Sequence, residues 1–290
     1  MATTKTRNEL KSINPFNGEV LKTYREMTPD EVEAATAKAD EAFRKWRETT
    51  FEHRAGILRR VAELLRERRE ELATIMTLEM GKKIEDARPE IDLCATIFDY
   101  YADEGEKILA PKEYDTKEGK GTLINQPLGV VYGIQPWNFP FYQPSRVAAP
   151  QLMAGNVVLT KHASNVPQCA EAFDQLLKDA GVPEGVHTNL QLSARNAGSI
   201  IDDDRVVGVA FTGSNKGGAA VAEQAGRNVK KTVMELGGVD PFIVLEDADI
   251  DATIERFMIG KLLCTGQICI SAKRIILDES IAEEFLDRAT

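Results

Sequence analysis

Between Glu52 and Met80 the apolar residues Leu58, Val61, Leu65, Leu72 and Ile75 fall on one stripe among arginines and glutamates, the spacing of a helix with one buried face. Gly81 marks its end. Upstream, Thr28-Pro29-Asp30-Glu31 places a capping threonine three residues before a glutamate, with proline at the first helical position, so a helix is predicted from there to about Glu48. A third helical stretch, about Glu85 to Lys107, carries Ile91, Ala95, Phe98 and Ala102 at similar spacing. All three read as packing and solvated surface, and the sequence assigns them no chemistry.

After Pro111 the texture changes. Residues 113–127 are polar and punctuated by Gly119 and Gly121, which fits a connecting arm or an exposed hairpin. Short apolar runs then alternate with helical segments. Gly129–Ile134, Asn156–Thr160, His187–Leu192 and Val206–Phe211 read as strands, with helices near Pro167–Ala180 and Gly217–Gly226. This alternation predicts βαβ units and an α/β fold, a Rossmann-like parallel sheet of the dinucleotide-binding kind. A further strand, Pro241–Leu245, and a helix from about Asp249 to Leu263 follow. A crossover at Leu236-Gly237-Gly238 divides the chain into a dinucleotide-binding domain, residues 1–236, and the start of a catalytic domain, residues 237–290.

A chain of 290 residues with 36 Lys+Arg against 46 Asp+Glu carries a formal charge of −10, which argues against a nucleic-acid or anionic-membrane surface. The four cysteines, Cys94, Cys169, Cys264 and Cys269, form no CxxC pair, and a reducing compartment is expected. The polar start, Met1–Lys11, lacks the apolar core of a secretion signal, and no run is long enough to span a membrane. A cytoplasmic protein is expected. His53, His162 and His187 are scattered without ligand spacing, so no metal site is expected.

The most informative pair is Cys269 and Glu235. A thiol attacks an electrophilic carbon only as thiolate, and a carboxylate set between small residues, as in Glu235-Leu236-Gly237-Gly238, can serve as a base. Each alone has a plain alternative: a small core cysteine, and a glutamate ending a strand at a turn. The run Val206–Phe211 enters Thr212-Gly213-Ser214-Asn215-Lys216-Gly217-Gly218, a strand, turn and helix start that could receive an anion on its backbone N–H groups. Its spacing is neither GxGxxG nor a Walker loop, and a structural turn is equally open. Lys161 closes a strand, where ligands gather in open α/β sheets, or is a surface lysine. In Pro136-Trp137-Asn138-Phe139-Pro140 two prolines fix the backbone around Asn138, whose amide could donate to an oxygen or merely complete a turn.

Read in order, these motifs resemble the aldehyde dehydrogenase superfamily, from about Ile13 to the last residue. The resemblance implies a mechanism. Cys269 attacks an aldehyde, and the Asn138 amide with the Cys269 N–H forms the oxyanion hole. Hydride passes to a nicotinamide, and Glu235 activates water to release the acid. Gly213, Ser214 and Gly218 are implied near the pyrophosphate, Trp137 near the cofactor, and Lys161 at the adenosine ribose. Ser164 stands where many NAD-preferring members carry glutamate; serine leaves room for a 2′-phosphate, so NADP is favoured while NAD remains permitted. Arg146 stands where succinate-semialdehyde dehydrogenases place an arginine on the substrate carboxylate, although it could instead pair within its helix. Lys161–Pro167 and Ser271-Ala272-Lys273-Arg274 also resemble that branch. The family further implies an oligomerisation strand within residues 113–127, and a homo-oligomer.

Two departures stand out. Cys264 occupies the place of an asparagine five residues before the nucleophile. After Arg274 one strand and a capped helix start at Ser280-Ile281-Ala282-Glu283 precede Thr290, so a chain truncated within the catalytic domain is expected, with Ile275-Ile276-Leu277 poorly covered. The alternatives are a dinucleotide-binding fragment without turnover, a dehydrogenase for another aldehyde, and a Cys264–Cys269 redox pair.

Overall fold

The structure is a computed structural model that describes residues 9–290, so Met1–Asn8 of the polar start lie outside the described residues. Two compact units make up the chain, one ending at Glu235 and the other spanning Leu236–Thr290.

The first unit opens with an antiparallel ribbon, β1 (Glu9–Ile13) and β2 (Val20–Arg25). Four helices follow: α1 (Pro29–Trp46), α2 (Phe51–Glu67), α3 (Arg69–Met80) and α4 (Ile84–Leu109). The capping box forms as the sequence predicts: Thr28 Oγ1 accepts from the Glu31 N–H at 3.3 Å, and the Glu31 carboxylate accepts from the Thr28 N–H at 2.8 Å. The stripe from Leu58 to Ile75, expected as one helix, is two. Arg68 breaks it at φ −100° and ψ 16°. Beyond the break the buried face moves to Leu72, Ala73 and Met76 while Ile75 is half-buried, so an unbroken stripe was the wrong extrapolation. Gly81, at φ 79°, closes α3 in the left-handed conformation that glycine adopts without a Cβ clash.

The polar segment is a hairpin of β3 (Lys112–Thr116) and β4 (Gly119–Leu123), almost wholly exposed. Alternation then begins with β5 (Val130–Ile134), α5 (Tyr142–Met153), β6 (Val157–Lys161), α6 (Pro167–Asp179) and β7 (His187–Asn189). It continues with α7 (Gly198–Asp202), β8 (Val206–Thr212), α8 (Asn215–Arg227) and β9 (Lys231–Glu235). The five strands pair in parallel in the order β7-β6-β5-β8-β9. Every residue of β5 and β6 is buried, as expected of central strands covered on both faces. The third predicted strand is shorter than the apolar run, which leaves the sheet after Asn189. The helix predicted from Gly217 starts two residues earlier, because the Ser214 side chain caps it on the Gly217 N–H at 3.2 Å.

The second unit pairs β10 (Asp240–Val244) with β11 (Ala272–Leu277) in parallel, joined through α9 (Ile250–Leu262), and ends in α10 (Ala282–Ala289). Phe242, Phe257 and Phe285 form an edge-to-face chain that makes its small core. The helix cap expected at Ser280 is absent: its hydroxyl donates to Asp278 at 2.7 Å, and Ile281 precedes the helix without a side-chain cap. Ile243 and Ile276 are exposed, so this small sheet has little apolar cover.

Candidate functional site

In the five-stranded sheet the chain leaves β5 in one direction through β6 and β7, then returns to β8 on the other side of β5. Such a reversal opens a crevice at the carboxyl ends of the strands, the usual ligand position in open α/β sheets. The Pro136–Pro140 loop leaves β5 at that edge, and Gly213 leaves β8 beside it. Asn138 is half-buried in this loop, and Trp137 is exposed.

The loop is held from several sides. His162, buried just after β6, donates from Nε2 to the Pro140 carbonyl at 2.9 Å. Burial pushes its ring down to about pKa 4, so it is neutral and the carbonyl fixes the proton on Nε2. Glu90, from α4, accepts the backbone N–H groups of Phe141 and Tyr142, each at 3.0 Å. These are the first amides of α5, which has no side-chain cap of its own. Lys82 pairs with the same carboxylate and sets its ammonium 3.5 Å from the centre of the Phe139 ring. At the far end of α5, Trp46 donates to the Leu152 carbonyl at 3.1 Å and Arg54 to that of Met153 at 2.9 Å. Of these partners the sequence reading found none. Glu90 left one signal, a charge standing in the buried stripe Ala87, Ile91, Cys94 of α4.

Lys161 is 4 % exposed, and its ammonium makes no hydrogen bond or ion pair to a described residue. Burial lowers its pKa, opposed by the Glu26 carboxylate, which is itself engaged by the Ser193 N–H at 2.6 Å and the Asn196 amide at 2.8 Å. Ser164 lies half-buried in the turn that follows β6. After β8, Gly213 is held by its N–H on the Glu235 carbonyl at 3.0 Å, and a Cβ there would lie 2.7 Å from the Phe211 ring. Ser214 takes the amides of Gly217 and Gly218, and Gly218 is buried within the first turn of α8. An ammonium without a partner among the described residues and an N-terminal helix turn on neighbouring βα connections suit a phosphorylated ribose and pyrophosphate, so the residues present fit a dinucleotide.

Glu235 ends the edge strand β9 with its carboxylate exposed. Arg146, exposed on α5, reaches it: Nη2 lies 3.4 Å from Oε1. The pairing within its own helix that sequence allowed for Arg146 is not what forms.

In the second unit Cys269 is exposed on the turn before β11. Lys273 donates to the carbonyls of Ile268 at 3.2 Å, Cys269 at 2.6 Å and Ser271 at 3.3 Å, drawing the turn around one ammonium. Cys264 is buried and, with Thr265, adopts positive φ of 52° and 54°, a conformation that asparagine tolerates better than either residue. Among the described residues no cluster of three or more His, Cys, Asp or Glu is placed to hold a metal ion, and no helix is long and apolar enough to cross a membrane.

Comparison with known proteins matches residues 2–290 to the aldehyde dehydrogenase family. A succinate-semialdehyde dehydrogenase [NADP(+)] of Deinococcus radiodurans is 46% identical over 277 residues, 96% of this chain and 58% of its own. A probable succinate-semialdehyde dehydrogenase [NADP(+)] of Synechocystis sp. is 45% identical over 96% of this chain and 62% of its own. The crystal structure of succinic semialdehyde dehydrogenase from Streptococcus pyogenes, in complex with NADP+ as the cofactor, superimposes with TM-score 0.95 at 41% identity, covering 97% of this chain and 62% of that one. The chain therefore spans about 60% of the length of the relatives it matches.

Proposed function

The chain belongs to the aldehyde dehydrogenase family, and from that premise we propose that it acts in the NADP-dependent oxidation of succinate semialdehyde to the acid. The observation that carries this reading is Lys161, a residue 4 % exposed at the end of β6 whose ammonium has no hydrogen-bond partner among the described residues. A 2′-phosphate on the adenosine ribose supplies the missing counter-charge, and Ser164 in the next turn presents no carboxylate to repel it. The relatives named for NADP+ support the same choice over NAD.

Arg146 supports the substrate class. Its exposed guanidinium already holds a carboxylate, that of Glu235, and the carboxylate of a short semialdehyde is of the same kind.

Each residue then has one task. The Cys269 sulfur bonds to the aldehyde carbon, and the Asn138 amide donates to the oxygen as it gains charge. The dinucleotide, when bound, takes up the hydride that this carbon loses. Glu235 removes a proton from the water that attacks the resulting thioester, which returns the thiol and releases the acid. Gly213, Ser214 and Gly218 shape the helix turn that meets the pyrophosphate, with Trp137 at the cofactor's edge. We also assign the β3–β4 hairpin, with exposed Tyr114 and Leu123, to contact between copies of the protein, and place the protein in the cytoplasm on its four free cysteines.

A second reading, dinucleotide binding without turnover, is favoured by the solvent exposure of Glu235, since a general base works best shielded from bulk water. Assay of the chain with succinate semialdehyde and NADP+ separates the two. Steady turnover abolished by Cys269→Ala, with NADP+ affinity retained, supports the dehydrogenase; NADP+ binding without Cys269-dependent turnover supports the second reading.

A further inference from the structure

Two charges taken out of water are costly unless each finds partners, and Lys82 and Glu90 are among the most buried charged residues of the chain, at 1 % and 3 % exposure. Their surroundings show where those partners lie. One Glu90 oxygen, Oε2, meets the Lys82 ammonium, while the other, Oε1, accepts both the Phe141 and the Tyr142 N–H groups. The Lys82 ammonium covers the Phe139 ring at 3.5 Å. The pair thus touches three of the four positions from Phe139 to Tyr142, all but Pro140, whose carbonyl is held by His162 at 2.9 Å. Asn138 is the residue immediately before this clamped stretch.

We propose that the Lys82–Glu90 pair is a positioning device for Asn138, fixing the backbone from Phe139 to Tyr142 so that the Asn138 amide is held in one orientation. The proposal rests on the assignment of Asn138 as the oxyanion donor. Such a donor lowers the barrier only if it is aligned before charge develops, so a loosened clamp costs turnover while leaving ground-state binding nearly intact. A pair serving stability alone could have bonded within its own helical layer. Here instead both residues, from the α3–α4 connection and from α4, reach across to a loop of the sheet. The α5 amides are satisfied from outside the helix, and the clamp therefore transmits the position of the helical layer to the loop.

The test uses Glu90→Gln and Lys82→Met, with amide hydrogen exchange and aldehyde oxidation as separate readouts. Glu90→Gln keeps the shape and an acceptor, while Lys82→Met removes the counter-charge. Exchange at Phe139, Phe141 and Tyr142 is expected to rise about tenfold in each, with Val130–Ile134 unchanged. Turnover is expected to fall about tenfold with KM for the dinucleotide unchanged, and that loss should vanish in an Asn138→Ala background. Unchanged exchange in the loop, an equal rise throughout the sheet, or losses that add to that of Asn138→Ala would each overturn the proposal. Should a single variant not fold, the double variant Lys82→Met/Glu90→Gln, which removes both charges and keeps an acceptor, carries the same measurements. Turnover indifferent to Asn138→Ala would refute the dehydrogenase assignment of that residue, and loop exchange would still decide whether the pair clamps the loop.

Discussion

The Arg146 guanidinium and the Glu235 carboxylate face each other at 3.4 Å, one from α5 and the other from the end of β9. Sequence reasoning gave them separate tasks, a substrate carboxylate for the arginine and a water proton for the glutamate. Their meeting makes those tasks mutually exclusive while the pair is closed. Both side chains are well exposed, so the pair itself is worth little and a substrate carboxylate can displace it.

Arg146→Ala is therefore expected to raise KM for succinate semialdehyde by about tenfold or more, while an uncharged aldehyde of similar length is barely affected. Steady-state kinetics on both substrates measures this. Equal effects would reduce Arg146 to a structural residue. Glu235→Gln removes the base alone: the first burst of reduced dinucleotide persists, and turnover slows by about 100-fold or more. Undiminished turnover in that variant would remove Glu235 from the chemistry.

At the cofactor end, Ser164→Glu introduces a carboxylate in the turn after Lys161. Affinity for NADP+ should fall by about tenfold or more relative to NAD+, because the new charge repels a 2′-phosphate and accepts from free ribose hydroxyls. Titration of both dinucleotides gives the ratio, and a ratio left unchanged would place Ser164 outside the site.

The layout of the sheet was legible because β5, β6 and β8 are short apolar runs closed by residues of distinctive chemistry, namely Pro136, Lys161 and Gly213. The edge strand β9 was legible only at its end, where Glu235 could be read as closing a strand, since Lys231–Glu235 is mostly exposed and carries no unbroken apolar run. The helix α5 contains Pro144 and Pro150, which break the pattern that identifies helices, and its ends are satisfied by Glu90, Trp46 and Arg54 from far along the chain. Lys161 and Cys269 could be proposed for chemistry from local motifs alone. The support beneath it could not, because Lys82, Glu90 and His162 act through contacts that no sequence spacing encodes. The placement of Arg146 against Glu235, 89 residues apart, belongs to the same class.

Gly213 is required by its neighbour and not by its own dihedral angles. An added Cβ would stand 2.7 Å from the tip of the Phe211 ring, which is only 8% exposed and has little room to move. Gly213→Ala is expected to destabilise the first unit by about 1–3 kcal/mol and to weaken NADP+ binding as the turn shifts. The shorter side chain of Phe211→Leu, combined with Gly213→Ala, should recover part of the loss in urea unfolding. A double variant no more stable than Gly213→Ala would show that the ring is not the obstacle.

His162 gives the loop a dependence on pH. Its Nε2 proton is committed to the Pro140 carbonyl, and Nδ1 has no partner among the described residues, so protonation would leave a buried N–H without an acceptor there. Burial, with His187 and Lys161 adding to it and the Pro140 hydrogen bond and Asp174 opposing, brings its pKa down to about 4. In the unfolded chain an ordinary histidine titrates near ~6.5, so the unfolded state binds the proton first as pH falls. Stability from this group is complete above that value and is lost as pH falls through the window between the two pKa values. The loss amounts to about 2 kcal/mol on going from pH 7.5 to pH 5. Urea unfolding across that window should show the slope, and His162→Gln, whose amide can still donate to Pro140, should flatten it. An NMR titration of the His162 ring with a midpoint near ~6.5 would refute the account, because it would mean that the folded state accepts the second proton as readily as the unfolded chain does.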